Sequence, residues 1–451
     1  VARGVTSLSS RRQAKARAAP ARDDEAPPAA SLPLEPDAEE GDGGPSRAWR
    51  RNLYALWLAQ LLTIVGFSMR APFLPFFLGD VGADSFASQA LWSGIINAGG
   101  AGVMAVAAPF WGIVADRYGR KPMVVRAMFA GFCTISLMSL AQNPGQLLVL
   151  RFFEGAFTGS VTASTTLVAS STPRRNRGFA LGMMQMAIFS GASAGPLLGG
   201  VLADLIGYRA SFLVAGSLLL IGGLIVLFLV HEQFERPAKG EAGVAENGPS
   251  LRLILFGGAM LAMIGVLFGL RVSNSAIQPI MPLFVEEISG ATRSVASLAG
   301  LALGVAGVAS AVSAVTLGRL ADRIGQTKIL LIATTCAGLA FIPLAFSQNI
   351  VQLILFNALA GAAAGGVLPS ANAIIANLTP ARRRGAVYGA VAAAASLGGF
   401  IGPLGGAALA AAVDIRYTFL VSGILLLLVA LWVLVAVRRN PGLDDAEADE
   451  G

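Results

Sequence analysis

Charge is scarce in this sequence: Asp, Glu, Lys and Arg make up 13% of its 451 residues, about half the share of an ordinary soluble domain. So few ionic groups cannot cover a water-facing surface over most of the chain, which excludes a soluble globular protein. There is one histidine, His231, and there are two cysteines, Cys133 and Cys336, both inside apolar stretches. Two such thiols make no disulfide framework and no metal-ligand spacing, and they read as inert packing residues. His231 stands in a polar segment, so it is no intramembrane proton relay. The sequence has no Walker or kinase signature and no nucleophile paired with a base. Those absences argue against an enzyme, a sensor or direct ATP coupling, and no metal or cofactor is expected. The net charge of +7 and the pI near 9.9 are basic, yet the basic residues are spread through alternate turns and not gathered on one face. Nucleic acid is therefore not an expected partner.

Apolar residues are what the chain has in excess, 55% of the total with a mean hydropathy of +0.68. Its 54 glycines would weaken soluble helices, but in lipid small residues let helix backbones approach closely. Between residues 53 and 437 the sequence divides into twelve apolar stretches, each of about 20 residues, the length that crosses a bilayer core of about 30 Å. The predicted fold is an all-α integral membrane protein of twelve transmembrane helices, with the lipid bilayer as its first partner.

The polar segments give the domain plan. Residues 1–50 are rich in Ala, Pro, Arg and acids without apolar periodicity and read as a disordered cytosolic tail. The first 22 residues carry six basic residues and no acid, faintly like an organelle transit peptide, but Asp37, Glu39, Glu40 and Asp42 follow at once. No cleavable signal peptide is expected. The segment from His231 to Ser250 is the longest internal polar stretch. The plan is then a six-helix bundle over 51–230, a cytosolic linker over 231–252, a second bundle over 253–437 and a cytosolic tail over 438–451.

Cytoplasmic loops are enriched in Lys and Arg. The turns after helices two, four, eight and ten hold Arg117, Arg120 and Lys121; Arg174, Arg175 and Arg177; Arg323 and Lys328; and Arg382, Arg383 and Arg384. The turns after the odd-numbered helices hold Arg209, Arg293 and Arg416, with Asp80, Asp84, Glu286, Glu287 and Asp414 beside them. Both termini are expected in the cytosol of a cell whose inner membrane holds the protein. Trp57, Trp92, Trp111 and Trp432 fall near helix ends and read as interfacial belt residues.

A shift of 206 or 207 residues superposes the halves. Gly112, Asp116, Arg117 and Gly119 fall on Gly318, Asp322, Arg323 and Gly325, Gly195 and Pro196 on Gly402 and Pro403, and Pro72 and Pro75 on Pro279 and Pro282. Two pseudo-symmetric six-helix bundles follow, an arrangement that places a substrate site between them near the midplane.

Several residues stand out chemically. In Gly112-Ile-Val-Ala-Asp116-Arg117-Tyr-Gly119-Arg120-Lys121 the glycine and the carboxylate are one turn apart, so Gly112 clears room beside Asp116, and Gly119 permits a tight turn. In Gly191-Ala-Ser-Ala-Gly195-Pro196-Leu-Leu-Gly199-Gly200 small residues four apart form a flat face, and Pro196 bends the helix. Glu154 and Arg151, three apart, share a helix face, and Arg70 lies at a similar depth. An intramembrane charge is costly and faces the bundle interior with a partner. Two readings stand: Glu154 exchanges a coupling proton while Arg151 and Arg70 tune it, or the three form a permanent ion pair between helices one and four. Arg271, with Asn274 and Gln278 at helical spacing, either meets an anionic group on the substrate or contacts the other half. Gln60, Asn97, Met184, Gln185 and Phe189, with Met183, Met186, Phe67 and Phe73, complete the candidate cavity wall; flexible Met and aromatic walls suit varied amphipathic ligands.

The segment from Gly112 to Lys121 resembles the major facilitator signature G-x-x-x-D-R-x-G-R-K over its full length, and the Gly191–Gly200 segment is similar to the g-x-x-x-G-P-x-x-G-G pattern of that family's antiporters. Arg151-Phe-Phe-Glu154-Gly155 is similar to the family's R-x-x-Q-G, with an acid in place of the amide. LWSGI, APFWGIVADRYGRK and LAQNPGQ point toward the 12-helix drug:proton antiporters, among them bacterial single-component multidrug exporters. The resemblance covers residues 53–437. It implies the major facilitator fold, a cytosolic gate at Asp116, Arg117 and Arg120, a weaker second gate where Gln326 replaces the Arg-Lys ending, and proton-coupled export of small molecules by a monomer. A transporter of one metabolite, such as a sugar, siderophore or organic anion, is the alternative, kept open by Arg70 and Arg271.

Overall fold

The computed structural model describes residues 45–232, 255, 257–290, 294–380 and 383–439. The expected tail up to residue 44, the linker beyond Glu232, Arg293, Arg382 and the tail from residue 440 lie outside the described residues. The first half runs α1 (Pro45–Met69), α2 (Leu74–Asp80), α3 (Phe86–Tyr118), α4 (Arg120–Met138), α5 (Pro144–Phe157), α6 (Ser160–Ser171), α7 (Arg177–Ile206) and α8 (Tyr208–Leu229). The second half repeats it as α9 (Gly258–Ile277), α10 (Met281–Ser289), α11 (Val295–Ile324), α12 (Gln326–Ala345), α13 (Ile350–Gly365), α14 (Val367–Leu378), α15 (Arg384–Ala412) and α16 (Ile415–Arg439). The described residues contain no strand. Val106, Leu205 and Phe228 are 82%, 74% and 71% exposed, a surface that only an apolar solvent satisfies.

Among the described residues eleven helices are long and apolar enough to cross a membrane. The twelfth crossing is α5 with α6, broken at Thr158 and Gly159, where Gly159 takes φ +129°. Such a φ is open to glycine and strained for other residues. Proline makes the breaks at the equivalent places in crossings one and seven: Pro75 and Pro282 stand in the first turns of α2 and α10, where a missing N–H costs nothing. Gly366 interrupts crossing ten between α13 and α14. Each break therefore falls in the first crossing of a three-helix unit, and in membrane transporters helices interrupted at depth are where sites are built.

We call the end where α1 begins and α16 finishes the near end, and the other the far end. At the far end the halves are locked together through glycines. A Cβ on Gly300 of α11 would stand 2.3 Å from the carbonyl oxygen of Pro196 in α7, and one on Gly94 of α3 would stand 2.6 Å from that of Pro403 in α15. These contacts are related by the internal repeat. Gly200 lies equally close to the Ala296 carbonyl, at 2.2 Å. Asp204, near the end of α7, accepts hydrogen bonds from the backbone N–H of Ser297 at 2.7 Å and from its Oγ at 2.5 Å. A carboxylate on the first turn of α11 also meets the positive end of its dipole. Ala296 belongs to the first half's far-end core and Ala90 to the second half's. The two near-end cores each draw on one half alone, and a Cβ at Gly112, Gly178, Gly318 or Gly389 would meet nothing within 4 Å. The far end is closed and the near end is open.

Asp204→Ala removes two bonds that exist in the far-end-closed state, a loss of about 1–2 kcal/mol. It is predicted to raise the labelling rate of a cysteine placed at Ala296 by a polar maleimide about tenfold; an unchanged rate would show that Asp204 does not hold this end shut. Gly199 sits with its Cβ position 1.9 Å from the Met69 carbonyl. Gly199→Val is therefore predicted to lower the melting temperature in detergent through overpacking of about 1–3 kcal/mol, and a wild-type melt would refute the contact.

Candidate functional site

The charged centre is built by glycine packing. A Cβ on Gly155 of α5 would stand 2.4 Å from the Gly100 carbonyl of α3, so two glycines bring these helices together. One turn back, the Arg151 guanidinium lies over Gly100, 3.1 Å from its Cβ position. Arg151 Nη1 donates to Glu154 Oε1 at 2.5 Å, and Arg70 Nη2, from the break between α1 and α2, reaches the same oxygen at 3.0 Å. Glu154 is 3% and Arg70 9% exposed. Arg70 Nη1, Arg151 Nε and Glu154 Oε2 have no hydrogen-bond partner. Two cations thus share one carboxylate oxygen. Breaking a buried pair by removing one member costs about 3–5 kcal/mol.

The second half has no copy of this centre. Asn357 stands where the repeat places Arg151, and its amide donates to the Ala302 carbonyl at 2.9 Å. Gly361, the counterpart of Gly155, meets the Ala306 carbonyl at 2.4 Å. The helix contact is repeated and the charge is not.

A cavity of about 130 Å³ adjoins the cluster, with Arg70, Arg151, Asn97 and Phe67 on the first half and Gln278 and Pro279 on the second. Arg271, Asn274 and Gln278 are all exposed, while Ser273, Ser275, Ala276 and Ile277 between them are buried, so the three share one open face of α9. Asn97 donates to the Ser93 carbonyl at 2.9 Å. Gln185 and Phe189 are exposed on α7. Gln60, Met184 and Phe73 are corrections to the expected cavity wall: all three are fully buried. Met184 packs in the near-end core with Leu56 and Val226, and Phe73 is stacked against Tyr208 and edge-on to Phe212. Helix periodicity does not distinguish a face toward the cavity from one toward a neighbouring helix. A second opening of about 450 Å³, almost wholly apolar, lies where Gly99, Gly102 and Val106 of α3 meet Phe152 and Phe400.

The glycine-proline segment faces α1 and the other half together. Gly191, Gly195 and Gly199 lie against Ile64, Ser68 and Met69, and Ser68 Oγ donates to the Gly191 carbonyl at 3.1 Å. In the second half Gly402 lies against Ser275, Gly406 against Ala276, and Ser275 Oγ donates to the Gly398 carbonyl at 3.0 Å. Pro196 and Pro403 present their carbonyls to Gly300 and Gly94.

At the near end Gly119 and Gly325 take φ of 95° and 104°, the turn geometry that glycine favours. Asp116 and Arg117 are exposed, and Asp116 has no hydrogen bond or ion pair among the described residues. The room beside it at Gly112 is empty. Gly112 clears room beside the carboxylate as its spacing predicts, and at the splayed near end nothing fills it. Asp322 Oδ1 accepts from Gln326 Nε2 at 2.9 Å, a short-range bond within one half. Two features were not foreseen. Glu232, the first acid after α8, accepts from the backbone N–H groups of Arg120 and Lys121, both at 2.8 Å, while Lys121 Nζ donates to the Leu227 carbonyl at 2.9 Å. The start of the linker therefore caps α4 inside the gate segment. Arg126 lies 3.4 Å over the Trp111 ring, whose Nε1 donates to the Ala156 carbonyl at 2.6 Å. Trp111 thus also packs against α4 and α5.

Comparison with known proteins agrees with this architecture. The family model described as Major Facilitator Superfamily matches residues 56–291 and 263–450. The chain is 35% identical over 398 residues to the multidrug resistance protein MdtG of Enterobacter lignolyticus, covering 87% of this chain and 93% of that one. It is 34% identical over 407 residues to the MdtG of Klebsiella pneumoniae, with 89% and 97% covered. Among solved structures, a bacterial homologue of the human lysosomal transporter Spinster, in an inward-facing and occupied conformation, superposes with a TM-score of 0.70 at 16% identity over 88% of this chain and 98% of that one. The human organic anion transporter MFSD10 gives 0.61 at 19% identity, over 85% and 99%. Those likenesses carry the fold. A multi-pass membrane transporter, and not an enzyme, is what the sequence family and the helical architecture describe together: the chain belongs to the major facilitator superfamily.

Proposed function

We propose that this protein is a proton-driven exporter of the inner membrane that moves amphipathic small molecules, drugs among them, by rocking two halves about a central site. Relatives named multidrug resistance proteins match it over nearly their whole length. The excess of Lys and Arg in the near-end turns supports a cytosolic near end, so the conformation described above is inward-facing. When the halves rock, Asp116, Arg117 and Arg120, with the copy from Gly318 to Gly325, close the cytosolic side. Gly191 to Gly200 and Gly402 with Pro403 then open the outer one. No cofactor takes part. A proton entering across about 150 mV supplies about 3.5 kcal/mol, enough to hold a neutral compound at about a 300-fold gradient.

The observation that carries the proton step is Glu154. It is the one buried carboxylate among the described residues, and it lies beside the inter-half cavity with one oxygen unpartnered. Taking up a proton removes the charge that Arg70 and Arg151 share. That loosens a tie between α1/α2 and α5, two of the interrupted crossings.

Export of a panel of dyes from inside-out vesicles is predicted to require an imposed pH gradient. Gradient-independent movement, or activity toward a single metabolite, would contradict the proposal. Glu154→Gln is predicted to reduce gradient-driven export at least about tenfold while substrate still binds; full export by this variant would leave Glu154 as an ion pair of structural value alone.

A further inference from the structure

The charges at the middle of the bundle do not balance. Arg70, Arg151 and Arg271 stand there against one carboxylate, Glu154, the one acid among the described residues that is buried. Arg70 and Arg151 lean on the same Glu154 oxygen and keep Nη1 and Nε without partners. Arg271 has no hydrogen bond or ion pair to its guanidinium among the described residues. It lies beside the helix contact between the halves. Its Nε lies 3.4 Å from the Cβ position of Gly399, with Ala101 of α3 at 3.9 Å from the same point, and Arg151 covers the neighbouring Gly100. Gln278, on the open face that Arg271 shares, lines the cavity with Arg70 and Arg151.

An intramembrane cation without a counter-ion is costly and faces the bundle interior or a water-filled cavity, and a cleft of one sign concentrates ligands of the other. We propose that the central cavity takes substrates through an anionic group, a carboxylate or a phosphate, held between Arg271 of the second half and the Arg70–Arg151 pair of the first. Amide donors from Asn274 and Gln278 complete the site. An anion bridging the halves ties substrate binding to their approach, and the inside-negative membrane potential favours its expulsion. Guanidinium forks match both oxyanions bidentately, so the two headgroups are distinguished by experiment. A lipophilic cation is disfavoured in the same place. This inference rests on the transporter reading above and names its substrate class.

The test uses the purified full chain with three probes of one apolar body: pyrenebutyrate, pyrenebutyl phosphate and pyrenebutyl-trimethylammonium. Binding is read by fluorescence, and flux is read separately in proteoliposomes. One or both anions are expected to bind at least about tenfold tighter than the ammonium, and Arg271→Gln to weaken the better anion about tenfold while the ammonium changes less than about twofold. Arg271→Glu is expected to reverse the order. Should Arg271→Gln fail to fold, Gln278→Glu places a repelling charge in the same cavity and is expected to weaken the anions likewise. Equal or tighter ammonium binding by the unmodified protein, or an anion affinity unmoved by the folded variants, overturns the inference. Anions that bind as described but are not moved against a gradient support the site and sink the exporter reading; ammonium flux without anion binding does the reverse.

Discussion

Two carbonyl oxygens, those of Pro196 and Pro403, set how closely the halves can approach at the far end. Each receives a glycine of the opposite half, Gly300 or Gly94, at a distance that excludes any side chain. Prolines within α7 and α15 mark these points of contact. From that closure the rest follows geometrically: helices pinned at one end and splayed at the other leave a cleft, and the cleft exposes Arg271, Asn274 and Gln278 toward the cluster of the first half. The same pinning leaves Asp116 exposed and the space beside Gly112 empty, because the halves splay apart at the near end. Asp204 adds polarity to a contact otherwise made of small residues, in the form of a carboxylate on a helix start.

Symmetry in the scaffold and asymmetry in the charge divide the labour. Ser68 with Gly191 and Ser275 with Gly398 make nearly the same bond in each half. Helix contacts needed for rocking are thus duplicated. The ionic centre is single, because Asn357 satisfies by one neutral bond what Arg151 does through Glu154. A transporter that moves charge benefits from a site on one wall facing a free cation on the other. Arg126, seated on Trp111, is stabilised by the ring face and stays with the packing.

Much of this was legible in the sequence. Hydropathy gave twelve crossings, and the repeat divided them into halves; Gly119, Gly325 and the triad of Arg70, Arg151 and Glu154 stand where spacing placed them. Depth along a helix, counted at about 1.5 Å per residue, was enough to bring Arg70 and Glu154 together. Facing was harder. Gln60 and Met184 are polar or flexible residues with the right depth and the wrong side, and only packing reveals that. The breaks in crossings one and seven had proline signals, whereas Gly159 carried none that separates it from the chain's many other glycines. Glu232 falls in the polar segment after α8, and its partners, the backbone N–H groups of Arg120 and Lys121, are more than a hundred residues away and leave no side-chain pattern.

The central claim is that two rigid halves exchange a closed far end for a closed near end. Spin-label pairs placed across the far end and across the near end of the full chain in nanodiscs measure both separations on one sample. The account predicts two populations in which the far-end distance lengthens as the near-end distance shortens. A single distance at each end, or two ends that open and close together, would contradict it.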